Sequence, residues 1–235
     1  MNDEIRRGME RQLESWRREV GDGGRRVGWK IGFNDPRAQA RFGLQATLVG
    51  HLRKRSEIEP GRSVALESGM DARAEVEIAI ELSADVPPGG DLDAARAAIG
   101  RILPALEFVD FARSFDGVET ILAHDIFHHA VVFGSDETGR EGPSLEGVTA
   151  RAWKNDEEVV HGDMNLVPAD LAEVVRHVAD TLGSFGERLV AGERIIAGSL
   201  VMPISVRTGD RIRADLGPLG EISAELSGDV HRGTA

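Results

Sequence analysis

Period-two alternation is the feature that most restricts what this chain can fold into. From Ala74 to Leu82, Val76, Ile78, Ile80 and Leu82 alternate with Glu75, Glu77, Ala79 and Glu81, which places an apolar row and an acidic row on opposite faces of one extended strand. Shorter alternating runs, bounded by turn residues, recur at 26–33, 63–67, 105–111, 129–134, 148–155, 205–207, 211–216 and 221–226. Helical spacing is rarer. Ile5, Met9, Leu13, Trp16 and Val20 predict an amphipathic helix that Gly21-Asp22-Gly23-Gly24 stops. Asp91 or Asp93 predicts the cap of a second helix, running through Ile102 and ended by Pro104. Pro168 and the Asp170-x-x-Glu173 box predict a third, with Leu171, Val174, Val175, Val178 and Leu182 on one face before Gly183. Strands outnumber helices and are not separated by them regularly. A doubly wound parallel sheet is therefore disfavoured, and an α+β fold is expected: a mixed β-sheet roll or sandwich with a few packed helices.

With 235 residues, 41% of them hydrophobic, the chain can bury one substantial core. Its expected organisation is an N-terminal helical segment over 1–25, a main domain over 26–228 and a flexible tail over 229–235. Apolar runs break well short of the ~20 residues that span a bilayer, and the first twenty residues are charged throughout. The expectation is a cytoplasmic protein with no membrane partner. Forty acidic residues against 28 basic ones give a net charge of −12, which disfavours nucleic acid and leaves small molecules and divalent cations. Without cysteine, a metal must be held by carboxylates, histidines or carbonyls.

Glu75 and Glu77, about 7 Å apart along one strand face, can converge on a hard cation, although a half-exposed strand carries the same pattern. Glu107 lies among Leu103, Ala105, Leu106, Phe108, Val109 and Phe111, which suggests a strand buried on both faces. An ionised carboxylate there requires a metal, a basic partner such as an arginine, or a raised pKa. Lys30 shares a face with Gly28 and Gly32, where a ligand can approach the backbone closely. It can bind a substrate carboxylate or carry a proton, or simply extend to solvent as a strand lysine. Three of the seven histidines fall between His124 and His129. His124 and His128, four apart, would share a helix face as an acid/base or ligand pair, or fill a satisfied core. Gly198 and Ser199 end an apolar run, where free N–H groups and a hydroxyl can receive a carboxylate or form a plain turn.

In their order along the chain these segments resemble the hydratase and decarboxylase branch of the fumarylacetoacetate hydrolase superfamily, from about Val27 to Leu226. The matching stretches are 28–33 around Lys30, the Glu-x-Glu at 75–77, the Glu107 strand, the strand ending at Gly134, the helix after Pro168 that leads to Gly198-Ser199, and the closing 208–223. The resemblance implies a catalytic domain that binds Mg²⁺ or Mn²⁺ through Glu75, Glu77 and Glu107. It implies a small 2-oxo acid substrate bound near Lys30, Gly32, Gly198 and Ser199, and assembly as a homodimer or higher homo-oligomer. Lys30, His124 and Asp125 are the expected catalytic side chains, and hydration of a 2-hydroxy-dienoic acid is the expected reaction. Decarboxylation of a 4-oxalocrotonate-type acid, C–C hydrolysis of the fumarylpyruvate type and a non-catalytic partner role are the alternatives. Four places depart from the family pattern: Leu48-Val49-Gly50 replaces Asp-Phe-Gly, His124-Asp125 replaces Asp-Asn, Leu166-Val167-Pro168 replaces a Gly-His/Asn-Pro, and Ala197 replaces a threonine.

Overall fold

The computed structural model describes residues 2–135, 137–161 and 170–228. In chain order the elements are α1 (Asp3–Gly21), β1 (Gly28–Gly32), α2 (Pro36–Phe42), β2 (Leu48–Leu52), β3 (Glu57–Ile58), β4 (Val64–Leu66) and β5 (Ala72–Leu82). They continue with α3 (Leu92–Ala97), β6 (Ile99–Asp110), α4 (Val118–Ala123), β7 (His128–Phe133), β8 (Arg140–Glu141), β9 (Arg151–Lys154) and β10 (Glu157–His161). The last are α5 (Leu171–Gly183), β11 (Arg194–Ile196), β12 (Ile204–Ser205), β13 (Arg211–Asp215) and β14 (Glu221–Gly228).

The strands build two sheets. A mixed sheet runs β2-β1-β11-β5-β6-β7-β3, with β12 added beside β5 and β8 beside β6, and a five-stranded sheet runs β10-β9-β13-β14-β4. This is the α+β arrangement that the alternation implies. The antiparallel β5–β6 ladder is the spine of the larger sheet and pairs Glu75 with Glu107, Glu77 with Ala105 and Ala79 with Leu103. Because side chains alternate, that register divides the sheet into two faces. One presents Val76, Ile78, Ile80, Leu106 and Phe108 to the main core. The other carries the glutamates at one end and, further along, a smaller apolar cluster containing Ala79, Leu103, Ala105, Val131 and Ile196.

The first helix forms as its spacing predicts. Asn2 caps it by accepting a hydrogen bond from the Ile5 N–H, and Met9, Leu13 and Trp16 are buried, with the Trp16 ring 5.0 Å from that of Trp29. Asp170 caps α5, whose apolar face is buried as expected; Pro168 and residues 229–235 lie outside the described residues. The second predicted helix is cut short. Asp91 does cap α3, but the helix ends at Ala97, and 99–110 is one strand that runs through Pro104. Proline is tolerated there because the Pro104 carbonyl accepts from Gly134 N–H, just past the end of β7. The missing N–H of Pro104 points the same way, into the gap between β7 and β8, where no ladder bond is lost.

Candidate metal centre and active site

Three carboxylates from two paired strands meet on one face of the large sheet. One oxygen each from Glu75, Glu77 and Glu107 lie within 4.8 Å of one another. Glu77 and Glu107 are fully buried, and Glu75 opens into a pocket. In Glu77 and Glu107 one carboxylate oxygen is engaged and the other is not. Glu77 Oε2 accepts from Gly198 N–H at 2.8 Å, leaving Oε1 without a partner. Glu107 Oε1 accepts from Lys30 Nζ and from His128 Nδ1, the latter at 2.7 Å, leaving Oε2 without a partner. Two buried orphan oxygens beside a third carboxylate are costly unless a cation joins them. An all-oxygen donor set of this kind suits Mg²⁺ or Mn²⁺, so the residues present fit a divalent metal.

The electrostatics of the cluster agree with that fit. Burial, reinforced by the charges of Glu107 and Glu75, holds the Glu77 carboxyl well above the usual carboxylate range. Burial and Glu107 push Glu75 up to about 7. Burial acts upward on Glu107 as well, but Lys30 and His128 outweigh it and hold this carboxylate ionised below its ordinary value. For Lys30, burial acts downward and is outweighed by Glu107, Glu75 and Glu77, so Nζ stays an ammonium above its ordinary pKa. Lys30 is therefore a buried ion held in place and not a lysine extended to solvent; its second contact is the Ile126 carbonyl at 3.3 Å.

Behind Lys30 stands a turn that the alternation does not foretell. Asp125, Ile126 and Phe127 all have positive φ, at 56°, 49° and 64°, a left-handed run that costs free energy at each non-glycine residue. It aims the Ile126 carbonyl at Lys30 and the Asp125 carboxyl at β2. There Asp125 Oδ1 accepts from His51 N–H at 2.8 Å, and His51 Nε2 faces Arg53 Nε at 2.9 Å. On the other side, His128 Nε2 lies 2.8 Å from Ser56 Oγ. Burial lowers the pKa of His128 against the pull of Glu107. A neutral ring that donates from Nδ1 to the carboxylate leaves Nε2 as an acceptor beside the Ser56 hydroxyl, which also lies 2.9 Å from the Arg53 carbonyl.

The expected helical pairing of His124 with His128 is not found. Helix α4 ends at Ala123, His124 is exposed outside the pocket lining, and His128 opens β7. The break is the left-handed turn, which no helix can cross. Asp125 is buried beside the stem of Lys30 without lining the pocket. Gly198 does not offer its N–H to a substrate, since Glu77 takes it, and the Ser199 hydroxyl donates to the Val201 carbonyl at 2.7 Å. Lys30, Gly32 and Ser199 do line the pocket, a cavity of about 400 Å³ that Glu75 also borders. His51, Arg53 and Ser56 escape a reading of the sequence because their partners come from distant elements.

No family model matches the chain. Among curated proteins, 2-hydroxyhexa-2,4-dienoate hydratase of Comamonas testosteroni is 29% identical over 221 residues, covering 92% of this chain and 83% of the relative. The 4-oxalocrotonate decarboxylase of a Pseudomonas species is 24% identical over 223 residues, covering 88% and 81%. Among solved structures, 4-oxalocrotonate decarboxylase from Pseudomonas putida G7, complexed with magnesium and adipate, superposes with a TM-score of 0.78 at 24% identity, over 92% of this chain and 83% of that one. Fumarylpyruvate hydrolase from Pseudomonas aeruginosa, with Mn²⁺ and pyruvate, gives 0.69 at 15% identity, over 87% and 90%. The chain is similar in sequence to these hydratases and decarboxylases, and it shares the fold of structural neighbours that are members of the fumarylacetoacetate hydrolase superfamily. Of the Leu48-Val49-Gly50 stretch, set against the family's Asp-Phe-Gly in the sequence comparison, the glycine is kept and Leu48 stands in place of the polar residue. A Cβ on Gly50 would lie 2.7 Å from Lys30 Cγ and 3.0 Å from Asp125 Oδ1, so the glycine leaves room for a carboxyl that reaches the lysine from another element.

Proposed function

We propose that this protein is a divalent-metal-dependent hydro-lyase of the fumarylacetoacetate hydrolase superfamily that hydrates a small 2-hydroxy-dienoic acid, with Glu75, Glu77 and Glu107 as ligands for Mg²⁺ or Mn²⁺. The observation that carries the reading is the pair of buried, unpartnered oxygens, Glu77 Oε1 and Glu107 Oε2, on carboxylates that cluster with Glu75 beside the pocket. When bound, the cation supplies Lewis-acid stabilisation of negative charge on the substrate's C2 oxygen. The remaining work falls to the chain. Lys30 holds a permanent positive charge where the pocket meets the carboxylate cluster, which suits it to fix the substrate carboxylate and to stabilise charge developing next to it. The Ile126 carbonyl and Glu107 hold Nζ in place, and the phenylalanines that line the pocket, among them Phe33, Phe111 and Phe127, limit the access of water to the carbon chain. Hydrolysis by a histidine-activated water is less well supported, because neither His51, His124 nor His128 lines the pocket. We further read the enzyme as cytoplasmic and as a homodimer or higher homo-oligomer, which sedimentation velocity would test.

The direct test is Mn²⁺ calorimetry on EDTA-stripped protein, with and without oxalate as a stand-in for the chelating end of a 2-oxo acid. Wild type should bind Mn²⁺, more tightly with oxalate, and Glu107→Gln should lose measurable binding. Lys30→Met should still bind Mn²⁺ while kcat/KM for dienoate hydration falls by about 10²–10⁴. Absence of Mn²⁺ binding by the wild type would overturn the metal reading. Tight binding with no turnover on any dienoate would favour a partner subunit.

A further inference from the structure

The pocket is built unevenly. Lys30 and Glu75 occupy its floor, while five of the chain's eight phenylalanines, Phe33, Phe42, Phe111, Phe115 and Phe127, line its walls. They form two groups. Phe111, Phe115 and Phe127 pack with ring centroids 4.4–5.9 Å apart, and Phe33 meets Phe42 edge-on at 5.3 Å. Three large hydrophobic residues are exposed among the described residues, and two of them, Phe115 and Met202, border this pocket. Apolar surface concentrated at the rim of a polar-floored cavity marks a place where something apolar is bound.

The cations of the rim already have partners. Arg37 donates to both oxygens of Asp35 in an exposed pair, and the exposed Arg41 guanidinium is 5.4 Å from the centroid of the Phe42 ring. Asp35 adds a negative charge to the same rim. Lys30, the buried cation of the lining, is committed at the floor. A substrate anchored at the glutamates and carrying a carboxylate at its far end would bring that charge against phenylalanine rings and would have to draw Arg37 from Asp35 or Arg41 from the Phe42 ring to pair it.

We propose that the enzyme selects monocarboxylic 2-hydroxy-dienoates whose end remote from the carboxylate is an alkyl or aryl chain, and that it discriminates against dicarboxylates. This rests on the proposed metal centre holding the 2-oxo acid end. Specificity then lies in the aromatic wall, with Phe111 and Phe115 as its distal contacts. It also disfavours decarboxylation, which needs a second carboxylate.

The test uses Mn²⁺-loaded enzyme and ligands that cannot react: pyruvate, 2-oxohexanoate, 2-oxo-6-phenylhexanoate and 2-oxoadipate, compared by calorimetry. Affinity should rise about three- to fourfold for each methylene buried, rise again for the phenyl compound, and gain nothing for 2-oxoadipate over pyruvate. Phe115→Ala should weaken the phenyl ligand about tenfold and leave pyruvate unchanged. Tighter binding of 2-oxoadipate than of 2-oxohexanoate, or a flat series, would overturn the proposal. A flat series in a dimer that Phe115→Ala dissociates would assign the wall to a second copy of the chain. Failure of Mn²⁺ and oxalate to bind at all is a separate result: it removes the metal centre, and this proposal with it.

Discussion

Burial raises the Asp125 carboxyl to about 7, and the His51 N–H, Arg53 and Lys30 offset it only in part. In an unfolded chain the same group titrates near ~3.9. Between those values the folded protein keeps a proton that the unfolded chain has lost, so stability falls as pH rises, by at most about 1.4 kcal/mol per pH unit from this group. The penalty is absent below ~4 and complete above ~7. Asp125→Asn cannot ionise yet retains an oxygen for the His51 N–H. In metal-free protein, calorimetric Tm should be higher for Asp125→Asn than for wild type at pH 8, with the difference closing towards pH 4. An equal difference at both pH values would remove ionisation of Asp125 as the cause. The sequence gives little sign of this residue's surroundings, because His51 of β2 and Arg53 just after it reach it across a turn with left-handed geometry. Glu75, Glu77, Glu107 and Lys30 are legible for the opposite reason: each sits on a strand whose alternation fixes the direction of its side chain.

Strand β1 shows how an element's position is set by what a residue lacks. Gly28 opens the parallel pairing of β1 with β11, opposite Arg194. A Cβ at Gly28 would lie 1.8 Å from the Arg194 carbonyl oxygen, a backbone atom that cannot rotate away, and φ there is +150°. Gly28→Ala should therefore cost about 3 kcal/mol or more in urea unfolding, or about 6–12 °C in Tm for a chain of this length. Gly21→Ala, where an added carbon meets nothing within 4 Å, should change stability by no more than about 0.5 kcal/mol. Retention of wild-type stability by Gly28→Ala would mean that β1 and β11 do not pair this closely. The failure of sequence reading at 99–102 has a related cause. Ile99, Gly100, Arg101 and Ile102 follow a capped helix and precede a proline, so local signals favour a helix that stops at Pro104. The decision is made by the β5 ladder across from them and by the β7–β8 gap that excuses the proline, both of which are tertiary.

Across the whole molecule, the net charge of −12 and the buried carboxylates act in the same direction. The acidic surface attracts divalent cations over long range, and the cluster at β5 and β6 concentrates negative charge that Lys30 offsets with a single positive one. A cation that binds the folded chain and not the unfolded one stabilises it by about 2.7 kcal/mol at a hundredfold excess over Kd, which for a chain of this size raises Tm by about 5–10 °C. Screening of surface charge by salt does not depend on the cluster, so the two contributions separate. Mn²⁺ should raise the Tm of wild type in 0.15 M NaCl, where long-range repulsion is already screened within ~8 Å, and should fail to raise that of Glu77→Gln. If both proteins gained equally, the stabilisation would come from the acidic surface, and the two orphan oxygens on Glu77 and Glu107 would belong to the fold and not to a metal.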